Sequence, residues 1–294
     1  MLLLDGVVAD IAAATGKPFF LMRCQETAGG CINRTIVVSD RDGRHYFVKL
    51  NDAHRLDMFE AEFDGLRELE RARVIRVPRP ICTGSADGKS FLVLEYLALS
   101  GNSAVMQRRL GQQLAALHGI TQSHFGWHRS NTIGSTPQSN DRHRDWVEFY
   151  RERRLRVQLD LAVGQGGKQL CALGEQLIER VSDFFTDYRP AVSLLHGDLW
   201  SGNVAATGDD EPTVFDPAVY FGDREADIAM TELFGGFTAA FYEAYSEMWP
   251  LDAGYRTRKY LYNLYHILNH FNLFGGGYGI QAEDTIKELL SELR

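Results

Sequence analysis

His196-Gly197-Asp198-Leu199-Trp200-Ser201-Gly202-Asn203 is the stretch on which the reading of this chain turns. An apolar run, Ala191-Val192-Ser193-Leu194-Leu195, precedes it, and a second strand-like run ends at Phe215-Asp216. The octapeptide is therefore expected to be a loop between short strands. Gly-Asp and Ser-Gly-Asn are ordinary turn sequences, so a plain polar turn is the simple alternative. Spacing sets the stretch apart: Asp198 and Asn203 lie five apart, and a further carboxylate, Asp216, stands at the end of the next run.

The pattern H-x-D-x-x-x-x-N, followed by an aspartate at a strand end, suits phosphoryl transfer. Asp198 would accept or orient the proton of an attacking hydroxyl. Asn203 would offer its amide oxygen to Mg²⁺, and Asp216 a carboxylate to the metal bridging the β- and γ-phosphates. Such a loop requires a nucleotide-holding region upstream, and the first hundred residues offer its parts.

Leu3, Leu4, Val7, Val8, Ile11 and Ala12 predict an amphipathic helix over 2–15, with Gly16 and Pro18 ending it. Phe19 to Gln25 is strand-like. Thr27-Ala28-Gly29-Gly30-Cys31-Ile32-Asn33 and Thr35-Ile36-Val37-Val38 then predict a hairpin whose glycines let backbone N–H groups approach phosphates. Gly29-Gly30 is a poor match to G-x-G-x-x-G and equally suits a plain turn. His45-Tyr46-Phe47-Val48-Lys49-Leu50 alternates as a strand does, with a lysine embedded in it. A lysine in an apolar strand needs a partner, a ligand or an exposed edge. The phosphate-holding reading predicts a following helix with a glutamate facing Lys49. Glu62 is the candidate and Glu60 the alternative. Ser90 to Tyr96 is an apolar, central strand, and its exit, Glu95-Tyr96-Leu97, is where backbone groups would meet adenine. Ser100-Gly101-Asn102 reads as a linker. Residues 1–97 thus form a small β-rich lobe, and 98–294 a mainly helical one.

The totals exclude several classes. With 31 basic and 39 acidic residues the net charge is −8, and no basic run is long enough to track a nucleic-acid backbone. The four cysteines form no C-x-x-C, and the nine histidines have no zinc-site spacing. No apolar run is long enough to span a membrane, and the N-terminus lacks the basic region of a signal peptide. A cytoplasmic protein, monomeric or weakly dimeric, binding neither nucleic acid nor membrane, is expected.

In the second lobe, Met106, Leu110, Leu114 and Leu117 predict a helix over about 104–118. Residues 119–145 lack any period but carry aromatics, which predicts an ordered, irregular segment near the substrate side. Asp145-Trp146 starts a helix through Leu155, and another occupies about 169–187. Asp227 opens the helix after Asp216 and would brace the loop backbone, or simply provide a helix N-terminal charge. Residues 255–274 predict a buried helix. His270 on it is a substrate-pocket candidate or a hydrogen-bonded core histidine, and Trp200 would pack against a sugar face or in the core.

The glycine pair, strand lysine, helix glutamate and H-G-D-x-x-x-x-N loop occur in kinase order. Gly197 replaces the arginine of protein kinases, Asp216-Pro217-Ala218 replaces D-F-G, and no A-P-E follows. The chain resembles the small-molecule branch of the kinase-like fold, and within it closely resembles the fructosamine kinase (ketosamine-3-kinase) family. Phe47-Val48-Lys49, Met58-Phe59-Glu60-Ala61-Glu62, Pro137-Gln138, Asp145 to Tyr150, the octapeptide, Phe215 to Ala218, Asp223-Arg224-Glu225, Phe234-Gly235-Gly236-Phe237 and Leu268-Asn269-His270 carry the resemblance. It implies an α+β, bilobal protein-kinase-like (aminoglycoside phosphotransferase-like) fold. It also implies ATP- and Mg²⁺-dependent phosphorylation of the sugar C3 hydroxyl of free or protein-bound ketosamines, leading to deglycation. Its implied site comprises Asp198 (catalytic), Gly29, Gly30, Cys31, Ile32, Lys49, Glu62, Glu95, Tyr96 and Leu97 (ATP), Asn203 and Asp216 (metal), Trp200 and His270 (substrate), with His196 and Asp227 as support. Cys31, in the glycine flap, would have a lowered pKa and be oxidisable, so reversible inactivation by oxidation is expected. Kinases of an aminoglycoside or amino alcohol, and a nucleotide-binding pseudokinase, are the rival readings.

Overall fold

A computed structural model describes residues 3–27 and 32–293. The chain divides into two compact units, Met1–Ser103 with Ala205–Pro217, and Ala104–Val204 with Ala218–Arg294.

In the first unit, helix α1 (Leu3–Thr15) precedes strands β1 (Leu21–Glu26), β2 (Arg34–Asp40) and β3 (His45–Asp52). Helix α2 (Leu56–Ala72) follows, then β4 (Pro80–Ala86) and β5 (Lys89–Glu95). The strands make one antiparallel sheet in the order β1-β2-β3-β5-β4. Side chains alternate between the faces of a strand, and this alternation explains the position of Lys49. Val48 and Leu50 join Ile36, Val38, Phe91 and Val93 in a core closed by Val7 and Ile11 of α1. Lys49 therefore projects from the opposite face, where α2 packs. As expected, β5 is interior: it lies between β3 and β4, and Ser90 to Leu94 are buried.

The second unit begins with α3 (Ala104–His118). The irregular stretch after it is ordered: Phe125 and Trp127 are buried, and β6 (Asn131–Ile133) pairs with β7 (Thr136–Gln138). Asp145 caps α4 (Trp146–Tyr150) by accepting from the Glu148 N–H at 2.8 Å. A π-helical turn, Arg151–Leu155, leads into α5 (Arg156–Gly164), followed by α6 (Lys168–Arg180) and β8 (Ser193–Leu195). β9 (Val204–Thr207) and β10 (Glu211–Val214), which from Ala205 onward belong to the first unit, form a two-stranded sheet. β11 (Tyr220–Gly222) returns to pair with β8, Leu195 opposite Tyr220. Helices α7 (Glu225–Leu233), α8 (Ala239–Met248), α9 (Tyr255–Phe274) and α10 (Tyr278–Glu292) complete the chain. Gly111 lets α3 lie close against α8, because a Cβ there would strike the Phe241 carbonyl.

One buried charge group ties α7 to α9. Arg258 bonds both Glu225 carboxylate oxygens at 2.7 and 3.0 Å, bonds Asp252 at 2.7 Å, and lies 3.8 Å over the Tyr188 ring. Tyr188 and Tyr262 donate to Asp223 at 2.9 and 2.5 Å. Removing one partner of such a pair strands the other charge in a dry interior. Arg258→Met is expected to cost about 3–5 kcal/mol of unfolding free energy in urea titration; a loss below about 1 kcal/mol would show that Glu225 is neutralised or rehydrated at little cost.

Candidate active site

Within the first unit, Lys49 meets two carboxylates. Its Nζ lies 2.6 Å from Glu62 Oε1 and 2.6 Å from Asp216 Oδ1. The lysine side chain is 6% exposed, so it is not an edge lysine facing water. Burial alone would depress its pKa, but the charges of Asp216 and Glu62 overcome that effect and raise it above the ordinary lysine value. Glu62, rather than Glu60, is the α2 carboxylate bonded to Lys49. Asp216 is held at φ 56°, a left-handed conformation unusual for a residue other than glycine. Strain of this kind is characteristic of functional sites.

Glu95, at the end of β5, has its backbone N–H bonded to the Arg79 carbonyl at 2.8 Å and its carboxylate to Arg76 at 3.2 Å. Tyr96 is exposed and its ring lies 5.8 Å from that of His45; Leu97 follows in the same segment. The Ile32 carbonyl accepts from Asn51 Nδ2 at 3.4 Å. Gly29, Gly30 and Cys31 fall outside the described residues. Cys24, Cys82 and Cys171 are free thiols.

Within the second unit, the octapeptide folds on itself. Asn203 Nδ2 donates to the Asp198 carbonyl at 2.9 Å and to its carboxylate at 3.3 Å. The Asp198 N–H points to His196 Nδ1 at 3.3 Å, which makes Nδ1 the acceptor of the buried ring. Gly197 has φ 83°, and a Cβ there would strike the Ala218 carbonyl. This close approach accounts for glycine at a position where a side chain is sterically excluded.

Asp227 lies beneath this loop. Its Oδ2 accepts from the His196 N–H at 2.7 Å and faces His118 Nε2 at 3.2 Å, while its Oδ1 accepts from the Gly197 N–H at 2.8 Å. Burial acts to raise its pKa, but the hydrogen bonds and charges of His118 and the backbone outweigh burial and hold the carboxyl below its ordinary value.

The substrate candidates are also brought together. Trp200 folds over Gly202 and is 39% exposed rather than core. Its ring centroid lies 6.2 Å from that of Phe234, which lies 5.1 Å from that of His270. His270 Nδ1 lies 2.8 Å from the His266 carbonyl.

Several supporting residues escape sequence reasoning. His118 is the partner of Asp227 and also meets the Tyr245 hydroxyl at 2.8 Å. Gln138 donates to the Ala218 carbonyl at 3.2 Å and to Asn131 at 2.8 Å, and accepts from Tyr265 at 2.7 Å. Buried Arg154 bonds Asn140 at 2.8 Å and sits 4.1 Å over the Tyr220 ring. Arg154 is one of four arginines in Arg151-Glu152-Arg153-Arg154-Leu155-Arg156, where spacing alone does not single it out.

Among the described residues no group of three or more His, Cys, Asp or Glu could form a metal cage. Mg²⁺ at a nucleotide does not require one, because it takes one or two protein oxygens with phosphates and water. The donor types fit: Asp216 offers carboxylate oxygen, and Asn203, which donates through Nδ2, offers an amide oxygen.

A strand lysine paired to a helix glutamate, with an H-G-D-x-x-x-x-N loop, defines a phosphotransferase of the kinase-like fold. The fructosamine kinase family model matches residues 4–292. The chain belongs to the fructosamine kinase family. It is 47% identical over 285 residues to a Synechocystis protein named "Probable ketoamine kinase", covering 97% of this chain and 96% of that one. It is 41% identical over 283 residues to the chloroplastic protein-ribulosamine 3-kinase of Arabidopsis thaliana, covering 95% and 86%. A crystal structure from Haemophilus somnus described as "Putative fructosamine-3-kinase" superposes with a TM-score of 0.90 at 31% identity, covering 98% of each chain.

Asp227→Asn is expected to lower stability by about 2–3 kcal/mol at pH 7, because hydrogen bonds to a charged acceptor are lost. Asp227 has a folded pKa below its unfolded one, so its contribution is full above about pH 4 and lost as pH falls through the folded value. The variant's acid-unfolding curve is therefore expected to be shallower than the parent's. Parallel curves would remove Asp227 from the acid transition.

Proposed function

We propose that this protein transfers the γ-phosphoryl group of ATP to the sugar C3 hydroxyl of ketosamines, the fructosamines and ribulosamines formed when amines are glycated. The phosphorylated adduct is unstable and releases its amine, so the outcome is deglycation. The observation that carries the reading is the buried ammonium of Lys49 held by Glu62 and Asp216, in a chain with the Asp198–Asn203 loop.

Each residue then has a role. Lys49, oriented by Glu62, neutralises phosphate charge. Gly29, Gly30, Cys31 and Ile32 supply backbone to the phosphates, and Glu95, Tyr96 and Leu97 supply backbone to adenine. Asp216 and Asn203 would hold Mg²⁺, whose contribution is to neutralise charge developing on the transferred group. Asp198 orients the acceptor hydroxyl and takes its proton. Asp227 and His196 keep the Asp198 backbone in place. Trp200 and His270 line the sugar side. The ketosamine class rests on membership of the fructosamine kinase family and on relatives named for ketoamine and ribulosamine substrates. No helix of the described residues is long and apolar enough to cross a membrane. Oxidation of Cys31 would reversibly block the flap.

ATP consumption with ribuloselysine, fructoselysine, kanamycin and choline in parallel tests the reading. Turnover is expected with one or both of the first two. Asp198→Asn is expected to lower kcat by about 10²–10⁴-fold, the usual contribution of a positioned proton acceptor. Turnover of kanamycin or choline alone, or an Asp198→Asn enzyme as active as the parent, would sink it.

A further inference from the structure

Arg154 is completely buried, yet among the described residues no carboxylate pairs with it. Its Nη1 donates to the Ser139 and Arg153 carbonyls at 2.7 and 3.0 Å, and its Nη2 to Asn140 Oδ1 at 2.8 Å. It is carried by the π-helical turn Arg151–Leu155, a rare form of helix found frequently at functional sites. Burying a cation without a counter-ion is costly, so this position calls for a reason other than stability.

What distinguishes arginine here is that it can only donate, whereas an amide side chain presents an acceptor on one side and donors on the other. Because Arg154 faces Asn140 Oδ1, Asn140 turns its Nδ2 the other way, toward Asn131 Oδ1 at 2.9 Å and the Arg129 carbonyl at 3.2 Å. Asn131, with its Oδ1 thus engaged, turns its Nδ2 to the Val219 carbonyl at 2.8 Å. The same Oδ1 takes Gln138 Nε2 at 2.8 Å. That leaves Gln138 Oε1 for the Tyr265 hydroxyl at 2.7 Å and lets Nε2 reach the Ala218 carbonyl at 3.2 Å. Asn140, Asn131, Gln138 and Tyr265 are all buried, so water cannot substitute for a misdirected group. A phenol both donates and accepts, so Tyr265 follows the direction of the chain and Arg154 sets it.

The two carbonyls at the end of the chain adjoin the acceptor loop. The Ala218 carbonyl fills the space that a Cβ on Gly197 would need, and the Ala218 N–H bonds the His196 carbonyl at 2.9 Å. We infer that Arg154 is a positioning residue of phosphoryl transfer. It sets the polarity of the buried amides Asn140, Asn131 and Gln138, which hold Ala218 and Val219 in the orientation that keeps His196, Gly197 and Asp198 in place. The reaction it serves rests on the ketosamine-kinase reading; the geometry of the chain does not.

Steady-state kinetics with ATP and ribuloselysine, beside hydrogen exchange at the His196, Gly197 and Asp198 N–H groups, test it on three variants. Asn140→Asp keeps an acceptor for Arg154, now as an ion pair, but removes the donor to Asn131. Asn131 is then driven to turn its Nδ2 to the new carboxylate and its Oδ1 to the Val219 carbonyl. A merely structural Arg154 would gain a counter-ion and leave kcat alone. The positioning role predicts a folded enzyme with a kcat roughly ten- to hundredfold lower, the scale on which small displacements of reacting groups act. Faster exchange in the loop and an unchanged KM for ATP are expected with it. Arg154→Gln, whose amide can face Asn140 with either end, is expected to behave in the same way, and Arg154→Lys, again donor-only, to retain more of kcat than Arg154→Gln. Thermal unfolding shows which variants are folded; the Asn140→Asp enzyme and the comparison at Arg154 are independent, and either decides where the other does not fold. Parental kcat and exchange in Asn140→Asp, or an Arg154→Lys enzyme slower than Arg154→Gln, would overturn the role of Arg154 and leave the ketosamine reading standing. If the parent does not turn over ribuloselysine, that reading fails, and unchanged exchange in Asn140→Asp would overturn the positioning role as well.

Discussion

A charge buried without solvent must be compensated, and in this protein that constraint centres on Lys49. Taking one ammonium out of water costs on the order of several kcal/mol. Glu62 and Asp216, each 2.6 Å away, offset that cost. The two differ in access to solvent: the Asp216 side chain is 39% exposed where that of Glu62 is 13%. The alternation of β3 directs Lys49 away from the α1 core, α2 supplies Glu62, and the left-handed backbone at residue 216 accompanies the second contact.

A comparable economy governs the loop at Asp198. A loop with a glycine at φ 83° has little intrinsic preference for one shape, so its geometry is imposed from outside. Asp227 imposes it from one side by collecting two successive N–H groups, and the Ala218 backbone does so from the other, with its N–H on the His196 carbonyl at 2.9 Å. Gln138 in turn fixes Ala218. The Asp198 backbone is thus held by neighbours that are themselves buried.

Much of this was legible in the sequence because it is local. Apolar periodicity located α1, α2, α3 and α9, strand alternation located β3, and a continuous apolar run located β5, each to within a few residues. Glu62 was legible because the lysine predicts a glutamate on the first turns of the following helix, which left Glu60 as its alternative. The rest is tertiary. His118 ends a helix, and nothing within that helix signals that it meets Asp227. Gln138, Asn131 and Arg154 look like turn or surface residues until the fold buries them. β9 and β10 belong to a unit whose other residues ended a hundred positions earlier, and no local pattern carries that information.

That last feature bears on the order in which the protein is made. Lys49 and Asp216 are 167 residues apart in the chain. At the usual rate of about 5–20 residues per second, a ribosome takes roughly ten to thirty seconds to travel between them. During that interval the nascent sheet, α1 and α2 can form, with Lys49 accompanied by Glu62 alone and one of its two compensating charges still unmade. The first unit is therefore the first to be started but not the first that can be finished. Its completion waits for β9, β10 and Asp216 to emerge, after the whole stretch from α3 to the catalytic-type loop has been synthesised.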